Sequence, residues 1–326
     1  MGMKTKMKNR IKKTRSFKFY KTYKEMEKLV EKQEKINESN NKLINSLFLD
    51  YDLTPSPRLQ YFQDLSTEFL KLIDNICLRH DIGWRIEGGL ALGAVRHGGF
   101  IPWDDDLDIG MLRDDYDHFI EVVPGELERL NLTDNIKITY AKRNWWGNRV
   151  NGFYQLLYYD ESKIGRSLTG VDVFPYDYIL DYHGQNLSDE FEEAKIKFYW
   201  DLTHGVERKD AYKTLYEKLN LTHEKQEYFI HGIEGPAGKR GILDVMAFET
   251  DKILPYKRIN FNGVMLPCAR DVDHYIHSVY KDPMSIPPVV TFHGRMNRLR
   301  RAPNINEILH KNLEKIREIN ENFDDY

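Results

Sequence analysis

The sequence predicts an α+β fold: a small mixed sheet flanked by helices, with an N-terminal helical extension. Three observations carry that expectation. Short β-branched and aromatic runs such as "NIKITYA", "FYQLLYY" and "VDVFPYDYI" read as strands. Longer stretches repeat apolar residues at helical spacing. The two kinds follow one another without the regular alternation that builds a parallel α/β sheet.

The elements run in order as follows. Residues 1 to 24 hold ten Lys or Arg and no acid, which suits a solvated tail or contact with an anionic membrane surface. Met26, Leu29, Gln33, Ile36, Asn40, Leu43 and Leu47 then fall at alternating 3-4 spacing over about three heptads. Two of those positions are polar, so a coiled coil and an ordinary helix packed on the main domain both fit. "LTPSPR" (53 to 58) breaks the chain. Leu59, Phe62, Leu65, Phe69, Leu72 and Ile76 mark an amphipathic helix to about His80.

"IGWRIEGG" reads as a short strand ending at Gly88 and Gly89, with a helical turn or two over 90 to 96. "LDIGM" is a strand and "DDYDHFIEVV" begins a helix. "VDVFPYDYI" is a strand that Pro175 is expected to stop. Residues 186 to 231 read as mostly helical, and a helical insertion is expected over about 186 to 250. A last helix spans about Asn304 to Ile319. These readings divide the chain into an extension over 1 to 55 and a main domain over 56 to 326.

Composition narrows the class. A chain of 326 residues with 41% hydrophobic content can bury a sizeable core. A net charge of -3 does not suit a nucleic-acid binder. Cys77 and Cys268 are the two cysteines, too few for a disulfide framework, so a reducing cytoplasm fits. No run approaches the length of a membrane span, and no apolar segment of a secretory signal follows the basic N-terminus. The expected location is cytoplasmic, with peripheral contact at the inner face of the membrane through residues 1 to 24. The heptads leave a homo-oligomer open.

The chemistry concentrates in "HGGFIPWDDDLDIG", where four carboxylates occupy five positions. Like charges at that density repel unless something positive lies among them. On a strand, Asp104, Asp106 and Asp108 would share one face, with Asp105, Leu107 and Ile109 on the other. Same-face neighbours lie about 6.5 to 7 Å apart along the backbone, so their side chains can converge on one cation. Hard divalent ions prefer such oxygen ligands. Asp172 sits between two valines in "GVDVFP", and a buried unpaired carboxylate is costly. A metal shared with the first strand would explain it; a turn cap or an arginine partner are the alternatives.

Gly88 and Gly89 precede a short helix, where backbone amides suit anions. Arg96 and His97 are candidate phosphate contacts or loop braces. Trp103 suits stacking on a ligand or filling the core beneath the loop. His274, His277 and Cys268 lack a fourth ligand for zinc. Arg295, Arg298, Arg300 and Arg301 form a basic loop, and Tyr275, Tyr280 and Pro287 suit packing beneath the acids.

"EGGLALGAVRHGGFIPWDDDLDIGM", Glu87 to Met111, resembles the signature of the LicD family, which also contains the fukutin-type proteins. "VDVFPYD" (171 to 177) resembles its second motif, and "YIHSVYKDPMSIPP" (275 to 288) its C-terminal segment. The resemblance spans roughly residues 60 to 290 and implies a nucleotidyltransferase-like fold. Carried over, Asp106, Asp108 and Asp172 are the catalytic and metal-binding acids. Gly88 and Gly89 carry over as the turn at that site, and Arg96, His97 and Asp104, beside it in the sequence, are candidate substrate contacts.

The resemblance further implies Mg²⁺, with Mn²⁺ as the alternative ion. The implied reaction transfers a phosphorylated alcohol, such as phosphocholine or phosphoribitol, from a CDP-alcohol donor to a hydroxyl of a glycan or glycolipid acceptor, releasing CMP. Asp172 is a candidate both for metal ligand and for the base that takes the hydroxyl proton. The rival readings are nucleotidyl (NMP) transfer to a small molecule and a non-catalytic, membrane-associated assembly protein.

Overall fold

The computed structural model describes residues 15–50, 56–145, 148–161, 166–238, 244–280, 282–285, 295–299 and 301–326. The chain forms two compact units, Met1–Thr54 with Ser285–Thr291, and Pro55–Met284 with Phe292–Tyr326. In the first unit a helix of 36 residues spans Arg15–Asp50. The basic segment read as a tail is therefore helical from Arg15 onward, and residues 1–14 lie outside the described residues. Charged pairs stitch this helix one turn apart, among them Lys24–Glu27 at 2.6 Å and Lys42–Glu38 at 2.8 Å.

The second unit is built on a mixed sheet. Its strands in chain order are β1 (Arg85–Ile86), β2 (Leu107–Leu112), β3 (Ile136–Trp145), β4 (Asn148–Tyr159) and β5 (Ser167–Ile179). They are followed by β6 (Leu221–Thr222), β7 (Tyr228–His231) and β8 (Ala247–Glu249). The spatial order is β1-β2-β5-β4-β3. The end of β5 also pairs with β6 and β7, and β8 lies outside β7. Among the described residues β2 and β5 are the parallel pair and the other pairings are antiparallel. A separate hairpin joins β9 (Lys257–Phe261) to β10 (Val264–Cys268).

β5 does not stop at Pro175 but runs through it to Ile179. The reason lies in which side of the strand the proline faces. The N–H and C=O of one strand residue point the same way, and the Pro175 carbonyl accepts from Gly232 N at 2.8 Å. The missing N–H thus faces the seam where β4 pairing ends at Val173 and β7 pairing begins at Tyr176. No ladder bond to β2 is lost, so the usual objection to a central-strand proline does not apply.

Two cores result. Helix Pro57–Arg79 starts with Ser56 as N-cap and proline in its first turn, a favourable arrangement. Its Phe62, Leu65 and Phe69 pack with Leu107, Ile109 and Val171 from the sheet. Leu309, Leu313 and Ile316 of helix Ile305–Glu321 close the same core. Ser66 Oγ and Thr169 Oγ1 share a buried hydrogen bond at 2.8 Å that pins the first helix to β5.

The segment from 186 to 250 carries helices Ser188–Thr203 and Arg208–Leu219, then β6 to β8. A second core forms there around Phe191, Phe198, Leu215 and Ile230. Buried Arg113, directly after β2, bridges toward it. Its Nε donates to Asp177 at 2.7 Å and its Nη2 to Glu234 at 3.0 Å. Burying three charges is tolerable only because nearly every lone pair is met; Tyr216 also donates to Asp177, at 2.6 Å.

Candidate active site

β1 ends at Ile86, and Glu87 N donates to the Asp108 carbonyl at 3.0 Å, so the turn after β1 is tied to β2. Gly88 opens helix Gly88–His97 with φ +47, a conformation that disfavours any side chain. After the helix the chain doubles back along it. A Cβ on Gly89 would sit 2.5 Å from Asp104 Oδ2, so the acidic loop lies close against the first helical turn and a side chain there would push the Asp104 carboxylate aside.

β2 begins at Leu107, later than strand alternation from Asp104 requires. Asp104 and Asp106 therefore reach the site from a loop rather than from one pleated face. That loop is held by its own hydrogen bonds: Asp104 N donates to Ile101 O at 2.9 Å, and Leu107 N to Asp106 Oδ1 at 3.2 Å. Leu107 and Ile109 are fully buried, so Asp108 between them faces the other side. Asp105 turns inward and is buried. Trp103 packs half-buried against the main core.

Asp172 arrives from β5, whose Cα register places it directly beside Asp108. Adjacent strands lie about 4.8 Å apart, so partner side chains on one face meet. One ligand atom from each of Asp106, Asp108 and Asp172 lies within 4.8 Å of the other two. Two full charges about 4 Å apart repel by roughly 4 kcal/mol near a protein surface. Three carboxylates at this spacing need a proton or a cation among them. Burial, then Asp106, Asp172, Asp104 and Glu87, push the Asp108 carboxyl well above the usual carboxylate range. An all-oxygen donor set of this kind fits a hard divalent cation such as Mg²⁺ or Mn²⁺.

A buried polar layer supports the acids. Glu87 Oε2 accepts from Tyr176 OH at 3.0 Å and from Tyr275 OH. Gly88 N donates to Tyr275 OH at 3.1 Å, so that amide already has a protein partner. Arg85 is fully buried, with Nη2 2.6 Å from Glu87 Oε1, off the direction of a hydrogen bond. Its guanidinium lies 4.3 Å from the Tyr176 ring centroid. Gly110 makes room for this layer, since a Cβ there would sit 2.0 Å from Glu87 Oε1. Tyr280 OH lies 3.7 Å from where a Gly88 Cβ would be, and burial followed by Asp104 and Asp108 raises its pKa.

The structure brings Asp104, Asp106, Asp108, Asp172, Gly88 and Gly89 together. Arg96 and His97 lie at the opposite end of their helix, about 12 Å along the axis from Gly88. There Arg96 Nη1 donates to Pro283 O at 2.9 Å and its Nε to His97 Nε2 at 3.0 Å. Burial lowers the pKa of both groups. Pro287 and Arg300 lie outside the described residues.

Two site residues escaped the sequence reading. Glu87 is the lone acid of "WRIEGG", and Gln155 the lone amide of "FYQLLYY". Gln155 is the register partner of Asp172 on β4 and donates to its Oδ1 at 2.7 Å. The available signal was a lone acid at the end of a buried strand for Glu87 and a lone amide within a strand for Gln155.

A mixed sheet that sets acids on adjacent strands beside a Gly-Gly turn at a helix N-terminus is the arrangement of a nucleotidyltransferase-type domain. Residues 81–208 match the family described as LicD/FKTN/FKRP, nucleotidyltransferase domain.

Among its relatives is the lipopolysaccharide cholinephosphotransferase LicD of Haemophilus influenzae, 51% identical over 47 residues, 14% of this chain and 18% of that protein. The uncharacterized protein RP689 of Rickettsia prowazekii is 38% identical over 73 residues, 22% of this chain and 27% of that protein. The ribitol 5-phosphate transferase FKRP of Homo sapiens is 32% identical over 91 residues, 28% of this chain and 16% of that protein. The similarity thus spans less than a third of each relative.

Proposed function

We propose that this protein transfers a phosphorylated alcohol from a CDP-alcohol to a hydroxyl of a glycan or glycolipid, releasing CMP. The observation that carries the reading is the register pairing of Asp108 with Asp172, which gathers both with Asp106 within 4.8 Å. The names of two relatives support the kind of group carried, one a choline phosphate and the other a ribitol 5-phosphate.

In this reaction the acceptor oxygen forms a bond to the phosphorus that bears the alcohol. The bond from that phosphorus to the bridging diphosphate oxygen breaks, CMP leaves with the electron pair, and the hydroxyl proton passes to a base. Asp106, Asp108 and Asp172 would hold the divalent cation, which when bound neutralises the diphosphate and the charge that develops on CMP. Gln155 orients Asp172 by donating to its Oδ1, and Asp172 would serve as cation ligand or as the base for the acceptor proton. The first turn of helix Gly88–His97 directs its positive end toward the diphosphate. Among the described residues no helix is long and apolar enough to cross a membrane. A membrane-bound acceptor would be met from the surface, with the basic 1–24 segment as the proposed contact.

The test is incubation with Mg²⁺, CDP-choline or CDP-ribitol, and a glycan acceptor. CMP release with alcohol phosphate on the glycan is expected, and Asp108→Asn and Asp172→Asn abolish it. Pyrophosphate release from a nucleoside triphosphate instead would turn the reading to nucleotidyl transfer. Absence of Mg²⁺-dependent binding of any CDP-alcohol would overturn the donor assignment. Full biological function with Asp108→Asn would favour a non-catalytic role.

A further inference from the structure

The helix Arg15–Asp50 presents an apolar stripe with an unusual composition. Counting heptads from Phe19, positions a are Phe19, Met26, Gln33 and Asn40, and positions d are Thr22, Leu29, Ile36 and Leu43. Phe19, Met26, Leu29 and Leu43 are 76%, 59%, 66% and 61% exposed. Tyr23 and Val30 at position e widen the stripe and are exposed as well. A long helix in a protein draws most of its stability from packing such a face. The ion pairs Lys24–Glu27, Lys35–Glu31 and Lys42–Glu38 all fall at positions b, c and f, on the face turned away from it.

We propose that this face pairs with the same helix of a second copy of the chain, as a parallel, in-register coiled coil. Two features select that occupant. From Lys24 to Leu43 the helix carries five Lys and five Glu, so this stretch has no net attraction to an anionic surface or an acidic partner. Gln33 and Asn40 interrupt the stripe at successive a positions. Gln33 Nε2 donates to Asn37 Oδ1 at 3.0 Å within the helix, but against lipid, or against an apolar groove, the Gln33 carbonyl oxygen and the Asn40 amide would still be desolvated at a cost. In a parallel in-register pair each meets its own copy and the amides bond each other, the device that fixes register and two-strandedness. An antiparallel pair would set them opposite apolar side chains. The contact is isologous, as a closed dimer requires. It is independent of the transferase reading.

The experiment is sedimentation of the full chain across a dilution series. A dimer of the 38.7 kDa chain is expected at high concentration, dissociating on dilution. The double substitution Leu29→Lys with Ile36→Lys is expected to leave a monomer whose main thermal transition is unchanged. Asn40→Cys is expected to give a disulfide-linked dimer under mild oxidation, because parallel in-register a positions meet; native Cys77 and Cys268 are buried and stay silent. The proposal fails if the wild-type chain is monomeric throughout, or if the lysine variant remains a dimer. It fails equally if Asn40→Cys does not cross-link.

Discussion

Gln155 donates its side-chain amide to Oδ1 of Asp172 at 2.7 Å, from the register-paired position on the neighbouring strand. The bond holds the rotamer of an acid that clusters with Asp106 and Asp108. Partners of this kind are worth about 10- to 100-fold in metal affinity where they have been removed. Gln155→Leu keeps the side-chain volume and deletes the donor. Calorimetric titration with Mn²⁺ should show at least about tenfold weaker binding. Unchanged affinity would mean that Asp172 does not ligate.

Removing one charge from the cluster should have opposite effects with and without cation. Asp108→Asn relieves repulsion from Asp106 and Asp172, so in chelator-treated buffer at neutral pH the variant should be more stable than wild type, by about 1 kcal/mol or more. Added Mg²⁺ should raise the melting temperature of wild type and leave the variant's nearly fixed. A variant less stable than wild type without metal would show that packing, not repulsion, dominates there.

Tyr275 and Tyr176 both donate to Glu87, but only Tyr275 also accepts from Gly88 N. Tyr275→Phe leaves that amide without its acceptor and Glu87 short of a donor, costing about 1–3 kcal/mol. Tyr176→Phe removes one bond and should cost less. Urea unfolding of the two variants gives the comparison, and equal losses would mean that the Gly88 bond contributes nothing.

His231 carries the pH dependence most open to test. It is buried among Tyr176 and Phe248, and burial, then Arg85 and Lys195, lower its pKa from 6.5 to about 3. The unfolded chain therefore binds a proton that the folded chain refuses. The contribution of this group is complete above pH 6.5 and declines as pH falls from 6.5 toward 3. In His231→Phe that decline should be absent, most clearly between about pH 6.5 and 5, where carboxylates still titrate little. Parallel slopes of unfolding free energy against pH in the two proteins would remove His231 from the account.

Much of this protein is legible in the sequence because it depends on near neighbours. The spacing of Phe62, Leu65 and Phe69 defines a helix face, and Leu107 and Ile109 define which side of a strand is buried. The crowding of Asp104 to Asp108 signals a charge that must be balanced. Other features depend on partners far along the chain, and no local pattern encodes them. Pro175 looks like a strand stop until the seam between β4 and β7 shows that its missing N–H faces no ladder partner. Asp104 and Asp106 look like strand residues until the loop folds back on Gly89. The meeting of Asp108 with Asp172 is set by the register of two parallel strands joined through a helix and a hairpin. The roles of Glu87 and Gln155 appear only when Tyr275 and Asp172 are brought against them. Local periodicity fixes which residues turn inward, whereas core packing and strand register fix which of those residues meet.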